Sequence, residues 1–454
     1  MFEKFFWSKP SFRFIVLAGA VLIYTCSQAV RWNYASITPY LVTDFGIGKP
    51  ELGLLGSAFF YAYAATQIPW GVAHDKLGGR SVLPAGFIIV SLFLAGFATA
   101  ATFTQAMGWR VAIGFASASG FAPANALLSK WFEKKERGFA LGIYSSLGGG
   151  LGEAMSFVLM PLIALLLSDG RTIFGYASWR GSTIIMAGTI LVMSLIAAFL
   201  LRSDPKDMGL ESIAAKEEKA AVPYKEAVWV AIKDPSFYLI TMCFSAFTVG
   251  CRLLPAWLPM YGTAMYLQTT DMSKAEAVLA GSIGVTMYIA GRLIGTPIVG
   301  KVSDYLLAKY NFSRNSMVAW LMAFSVAMFY AFTHPMPSVT LFAVLSFIGG
   351  VLVTAFPIIN AMCAEAWSIG AAGFNNALMN TFGQIIAATV LAMSGFWAVK
   401  YSVKGGGYWM EFAGIWYLGI LIFSLAFIAA MITVYREKQH RKAAVVEQPE
   451  PEAI

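Results

Sequence analysis

The chain has 454 residues, of which 58% are hydrophobic and only 12% charged, with a mean hydropathy of +0.67. A soluble chain carries roughly 25% charged residues, so an aqueous setting is excluded for most of this one and lipid is the expected solvent. The net charge of +8 comes with no base-reading module, so nucleic-acid binding is not expected.

In chain order, Lys4, Lys9 and Arg13 precede an apolar run that continues through Arg31 to Pro39. No small-residue cleavage site interrupts it, so it reads as an uncleaved first span and not as a signal peptide. Stretches of about 20 apolar residues, enough to cross a bilayer, follow near 14–41, 52–73, 82–102, 107–129, 139–167, 182–201, 237–266, 278–300, 316–333, 339–362, 371–398 and 412–435. They are continuous and do not alternate with period two, which predicts an all-α membrane protein of twelve transmembrane helices and disfavours a barrel. Residues 1–201 and 237–435 form two six-helix halves. The charged stretch 202–236 is the linker between them, and 436–454 is a tail expected to be disordered.

Lysine and arginine set the orientation. With both termini cytoplasmic, twenty-two fall in cytoplasmic segments and seven on the opposite side, while Arg31, Arg252 and Arg292 stay inside spans. The positive charge is therefore a topology signal, and a multi-pass protein of the cell inner membrane is expected. Cys26, Cys243, Cys251 and Cys363 lie in apolar runs without paired spacing, so neither a disulfide framework nor a zinc site is expected. No nucleophile with a base, metal cluster or cofactor motif stands inside the spans, and an enzyme is not predicted.

The halves echo each other. Arg31 is followed by Pro39 and Tyr40, then by a span ending in Gly71-Val-Ala-His-Asp75-Lys-Leu-Gly-Gly79-Arg80. Arg252 is followed by Pro259 and Tyr261, then by a span ending in Gly300-Lys-Val-Ser-Asp304. Parallel repeats are the expected outcome. Gly71, Gly78 and Gly79 suit close packing and a tight turn, and Asp75 at a helix end can pair with Arg80. Such a cytoplasmic latch would hold the halves together in one state and release them in the other. The alternative is a stop-transfer loop.

The string from Gly71 to Arg80 resembles the loop signature of the major facilitator superfamily, at the place where that family carries it, and the resemblance extends to about residue 435. It implies a two-domain carrier that alternates access to a central site. Val30-Arg31-Trp-Asn33, Cys251-Arg252 leading to Trp257-Leu-Pro259, and Arg202-Ser-Asp204-Pro205-Lys-Asp-Met-Gly209 are similar to segments of the organophosphate:phosphate antiporters. In that family two arginines bind the phosphoryl group, a role that the resemblance implies for Arg31 and Arg252. Ser145 stands where the glycerol-phosphate carriers have a fifth-helix histidine. Gln67-Ile-Pro69-Trp-Gly71 and Arg110-x-x-x-Gly114 look more like the anion:cation symporters, from which Val30 and Ser117 depart.

An arginine at mid-membrane costs roughly 2.5–3.5 kcal/mol on insertion scales unless it meets a cavity or a partner. Arg31 and Arg252 therefore need a reason, and a phosphate or carboxylate gripped by paired N–H donors supplies one. The alternatives are snorkelling and a structural pair with Glu153. Arg292 either lines the pore or braces the cytoplasmic half, and Arg110 is expected at the outer interface. Glu153, deep in the fifth span, can exchange a proton or neutralise Arg31 or Arg252. Asn376, Asn380 and Gln384 share one helix face and offer hydrogen bonds to substrate or to neighbouring helices. Tyr34 and Tyr261 are further candidates.

The expected function is secondary transport of a small organic anion by a monomer in the lipid bilayer, phosphorylated compounds first, with inorganic phosphate as exchange partner. The alternative is proton-coupled symport of a carboxylate such as a sugar acid, with a transporter-like sensor a distant third.

Overall fold

The computed structural model describes residues 12–132, 134–168, 170–209, 233–336, 338–356, 358–359, 362–363, 372–402 and 406–446, with backbone alone at 134–135, 137–138, 372–377 and 440–446. Helices meet every expected span. The first consists of α1 (Phe12–Ser36) and α2 (Thr38–Phe45), broken at Ile37. Pro39 in the first turn of α2 lacks the N–H that would continue the ladder, which explains the break. The second and third spans are α3 (Lys49–Leu77) and α4 (Gly79–Ala98), joined at Gly78 with φ 77°, a left-handed backbone open to glycine.

The fourth span is α5 (Phe103–Ser117) and α6 (Phe121–Trp131). The fifth is α7 (Lys134–Ala154), a π-helical turn at Met155–Leu159, and α8 (Met160–Leu166). Pro161 opens α8 and cannot donate back into the preceding turn, which accounts for the wider winding there. The sixth span, α9 (Ser178–Leu200), closes the first half.

The second half holds α10 (Pro235–Thr269), α11 (Lys274–Tyr310), α12 (Arg314–Ala331), α13 (Val339–Leu352), α14 (Ala372–Lys400) and α15 (Tyr408–Val446). Nine of the described helices are long and apolar enough to cross a membrane. The last helix continues to Val446, so the first part of the tail expected to be disordered is helical. Residues 447–454 and the linker's centre, 210–232, lie outside the described residues.

Packing repeats across the halves. The first span packs on the fifth, the second on the fourth and the third on the sixth; the seventh and eleventh, eighth and tenth, and ninth and twelfth do the same. Between the halves the second span meets the eleventh, the fifth meets the eighth, and the first meets the seventh. These contacts exchange or map onto themselves when the halves are swapped, as a duplicated unit requires.

The halves seal at the end carrying the 46–48 and 270–273 connections. There Gly395 lies against the Lys49 backbone, so that a Cβ would stand 2.1 Å from the Lys49 carbonyl oxygen, and one on Gly53 would stand 2.8 Å from that of Leu391. Lys49 donates to the Glu411 carbonyl at 2.7 Å, and Lys274 donates to the Thr43 hydroxyl. At the opposite end Ile68 is 79% exposed and Asp75 is 80% exposed.

Candidate functional site

Where the first and seventh spans face each other, Arg31 and Arg252 are both buried, at 6% and 8% exposure. The Arg252 guanidinium carbon is 4.6 Å from the centroid of the Phe60 ring and 5.7 Å from that of Trp32, both in the other half. Arg31 lies 6.0 Å from the same Phe60 centroid and 5.2 Å from that of Tyr63. The two charges thus share one aromatic ring, whose electron-rich face offsets part of their desolvation.

Among the described residues neither arginine has a carboxylate within ion-pair distance. Arg252 donates to Gln384 Oε1 at 2.9 Å, and Gln384 Nε2 donates to Asn380 Oδ1 at 3.3 Å. The Nε atoms of Arg31 and Arg252 are buried with no hydrogen-bond partner. Two cations of unmet donor capacity facing one space suit an oxyanion, which accepts several N–H groups at once. The Asn376 side chain lies outside the described residues.

The expected pairing of Glu153 is corrected: it bonds Arg292, not Arg31 or Arg252. The reason is geometric, since Glu153 ends α7 beside α11, and a Cβ on Gly150, one turn earlier, would be in contact range of Leu293. Glu153 is 2% exposed and its Oε2 has no partner, while Arg292 is 21% exposed. Arg292 therefore faces the interior between the halves, and this pair joins one half to the other across the fifth and eighth spans.

Arg110 is also corrected, from an interfacial charge to a fully buried one. Its guanidinium donates to the Val30 carbonyl and to Asn33 Oδ1, each at 3.1 Å, and at 3.4 Å to the Arg31 and Leu55 carbonyls. It stacks 4.5 Å from the Tyr34 ring centroid and 4.8 Å from that of Phe59. Arg110 ties the backbone around Arg31 to the second span.

Among the described residues, neither Tyr34 nor Tyr261 is hydrogen-bonded to Arg31 or Arg252. Tyr34 is wedged beneath Arg110 with its hydroxyl beside Gly56, where a Cβ would be 2.1 Å away. Tyr261 is fully buried in an aromatic cluster with Phe332, Tyr408, Phe412 and Trp416, and donates to the Phe332 carbonyl at 3.3 Å. Both follow their arginine along the helix, and the Tyr34 hydroxyl is buried without a hydrogen-bond partner among the described residues.

Among the described residues, the signature loop makes no ion pair between the halves. Asp75 has His74 Nδ1 at 3.4 Å in place of the expected Arg80, and Asp304 pairs with Arg314 at 3.1 Å within its own half. The Arg80 amide donates to Ser203 Oγ at 3.1 Å, and a Cβ on Gly78 would meet Ser203 at 2.4 Å. Gly79 packs beside His74 and Leu127, whereas Gly71 has open space around it. Among the described residues, the ion-pair partners of Asp75 and Asp304 come from their own half.

Sequence reasoning passed over Phe60, the ring common to both arginines. It also passed over Tyr24 and Gln28, although their spacing from Arg31, at i, i+4 and i+7, places all three on one helix face. Tyr144 on α7 packs against Tyr24 with centroids 4.6 Å apart and the rings tilted by 34°.

The Major Facilitator Superfamily profile matches residues 20–388. A probable hexose phosphate transport protein of Chlamydia trachomatis serovar D is 24% identical over 308 residues, 64% of each chain; the match thus spans less than two thirds of that relative's length. A D-galactonate transporter of Escherichia coli O6:H1 is 25% identical over 421 residues, 86% of this chain and 90% of its own. Among solved structures, an inward-facing, unoccupied bacterial homologue of the human lysosomal transporter Spinster superposes with a TM-score of 0.74 at 18% identity, covering 92% of this chain and 96% of that one. With a duplicated twelve-helix bundle and a family match over most of its length, the chain belongs to the major facilitator superfamily.

Proposed function

We propose that the protein is a secondary active transporter of a small organic anion, with phosphorylated compounds its first class of substrate. The observation that carries this reading is the pair Arg31 and Arg252, one from each half, buried around Phe60 without a carboxylate partner among the described residues. An anion held by both draws the halves together around it, and release lets them part at the other end. Among the described residues, Arg31, Arg252 and Arg292 against Glu153 leave two positive charges in surplus. A phosphate monoester, at about −1.5 to −2 near neutral pH, balances that surplus more fully than a monocarboxylate does.

A hexose phosphate carrier among the relatives supports this reading, and a D-galactonate carrier supports the second one. That second reading, proton-coupled symport of a sugar acid or similar carboxylate, draws on Glu153, a buried carboxyl able to exchange a proton as Arg292 leaves it. Phosphate-driven counterflow insensitive to a pH gradient supports exchange. Uptake that collapses with a protonophore supports symport. Solute binding without flux in liposomes supports a sensor.

Charge bias supports a placement in the cell inner membrane with both termini cytoplasmic, and the transporter is read as a monomer. In this placement the open end faces the cytoplasm. The direct test is a thermal-stability screen of purified protein against phosphates, sugar phosphates, dicarboxylates and sugar acids, repeated with Arg31→Ala and Arg252→Ala. A ligand whose effect survives both substitutions would sink the reading.

A further inference from the structure

The seventh, eleventh and twelfth spans meet in an apolar cluster of Val249, Ala387, Val390 and Leu418. On the side of that cluster nearer the start of α10, the three helices leave a crevice of about 360 Å³. Tyr238, Thr241 and Ser245 of α10, Phe382 and Ile386 of α14 and Ile422 of α15 line it. Packed interiors hold few voids larger than a water molecule, so a space of this size is a shaped one. Its hydroxyls are turned into the protein, for Ser245 donates to the Thr241 carbonyl at 2.7 Å and the Thr241 Oγ1 is buried. The wall is hydrocarbon, and so is the occupant that it suits.

The crevice opens outward, away from the arginine site. Phe382, Ile386, Met393 and Phe396 fall at i, i+4, i+11 and i+14 on α14, which places them on one helix face, and all four are exposed. Gln384, the partner of Arg252, lies about 200° around the helix from both Phe382 and Ile386. On α15, Leu421 and Leu425 beside Ile422 are exposed as well. An exposed apolar face on a membrane-spanning helix is covered by acyl chains.

A charge stands at the end of this crevice nearer the helix termini. Arg436 lies fourteen residues beyond Ile422 on nearly the same face of α15, about 21 Å along the axis. One leaflet with its headgroups is about 20–22 Å deep, half of a bilayer's 40–45 Å. Arg436 Nη1 donates to Ser236 Oγ at 3.2 Å, two residues before Tyr238, and the guanidinium's other donors suit a phosphate. The nearby carboxylates are engaged with their own neighbours: Asp234 accepts from the Ser236 amide and Glu437 from Asn315. Lys438 adds an exposed positive charge at the same end. A guanidinium one leaflet above the floor of a hydrocarbon crevice complements a molecule with phosphate at one end and acyl chains at the other.

We propose that the crevice is a binding site for a diacyl phospholipid, one acyl chain lying between α14 and α15 against α10 and the phosphate resting on Arg436. The site is separate from the Arg31 and Arg252 pair and does not depend on the reading of that pair. With both termini cytoplasmic, the lipid belongs to the cytoplasmic leaflet.

The test is native mass spectrometry of the full chain, delipidated in detergent and titrated with palmitoyl-oleoyl phosphatidylglycerol. The wild type is expected to bind a first lipid roughly tenfold or more tighter than any later one. Ile386→Trp, which fills the crevice, and Arg436→Gln, which removes the charge, should each weaken that first lipid by roughly tenfold. Val192→Trp, on the exposed apolar face of α9 in the other half, should leave it unchanged. Palmitoyl-oleoyl glycerol, with the same chains and no phosphate, should bind roughly tenfold more weakly than the phospholipid and be indifferent to Arg436→Gln. A melting temperature for each variant confirms folding, and the two test positions lie on different helices, so one reports if the other unfolds. A series of adducts with no preferred first lipid overturns the site. So does a first lipid that neither Ile386→Trp nor Arg436→Gln weakens, or that Val192→Trp weakens equally. A dimer in the same spectra that Ile386→Trp dissolves would give the crevice to a second copy of the chain and overturn the phospholipid.

Discussion

Glu153 and Arg292 are bonded across the two halves of the molecule, the carboxylate from the fifth span and the guanidinium from the eighth. Breaking a buried pair from one side costs about 3–5 kcal/mol because the remaining charge is stranded, whereas removing both charges is far milder. We therefore expect Glu153→Gln and Arg292→Gln each to lower the melting temperature more than the double variant Glu153→Gln/Arg292→Gln does. A double-mutant cycle in detergent measures the coupling. Additive losses would remove the pair from the structural account.

The same pair sets the charge of the site. In Glu153→Gln the surplus rises by one, so anion affinity should increase by roughly tenfold, about 1.4 kcal/mol, while flux falls because Arg292 is no longer neutralised after release. Binding titrations and liposome uptake on one preparation separate these effects. A loss of affinity in Glu153→Gln would show that the glutamate assists the anion and does not compete with it.

At the anion site, Arg31→Lys and Arg252→Lys keep the charge but lose the planar fork and its paired donors. We expect each to weaken anion binding at least tenfold. Tyr261→Phe should leave affinity within about twofold, since its hydroxyl is bonded to the Phe332 carbonyl within an aromatic cluster and effects of that size are the usual background.

Arg110 touches no part of the proposed ligand, yet it satisfies the Val30 and Arg31 carbonyls. Arg110→Met should cost several kcal/mol of stability, on the order of 2–5, by leaving Asn33 Oδ1 unpaired in the core and removing the guanidinium's second bonds to carbonyls of two helices. Arg110→Lys should recover only a part, because a single ammonium cannot reach carbonyls on two helices. Thermal unfolding checks the order wild type, Lys, Met.

Closure of the sealed end depends on Gly395 and Gly53. Gly395→Leu places side-chain atoms where the Lys49 backbone lies, so the halves should part there and the opposite end should close. A cysteine introduced at Thr43 should then label faster in Gly395→Leu than in the parent, against a background of four buried native cysteines. Equal labelling rates would mean that the contact yields without a change of state.

Much of this architecture is written in the order of residues. Apolar length fixes twelve crossings because a bilayer leaves backbone groups no partner but their own helix, and the repeat of arginine, proline and acidic end marks the duplication. Arg31 and Arg252 stood out because charge in lipid demands a reason. Tertiary structure alone decided the partners. Spacing shows which face a residue occupies but not what another helix brings to that face, so Glu153 went to Arg292, Arg110 moved from the interface to the core, and Tyr34 and Tyr261 took partners other than the arginines they follow. Phe60, common to both arginines, and the crevice below Arg436 exist as units only where spans far apart in the chain are packed side by side.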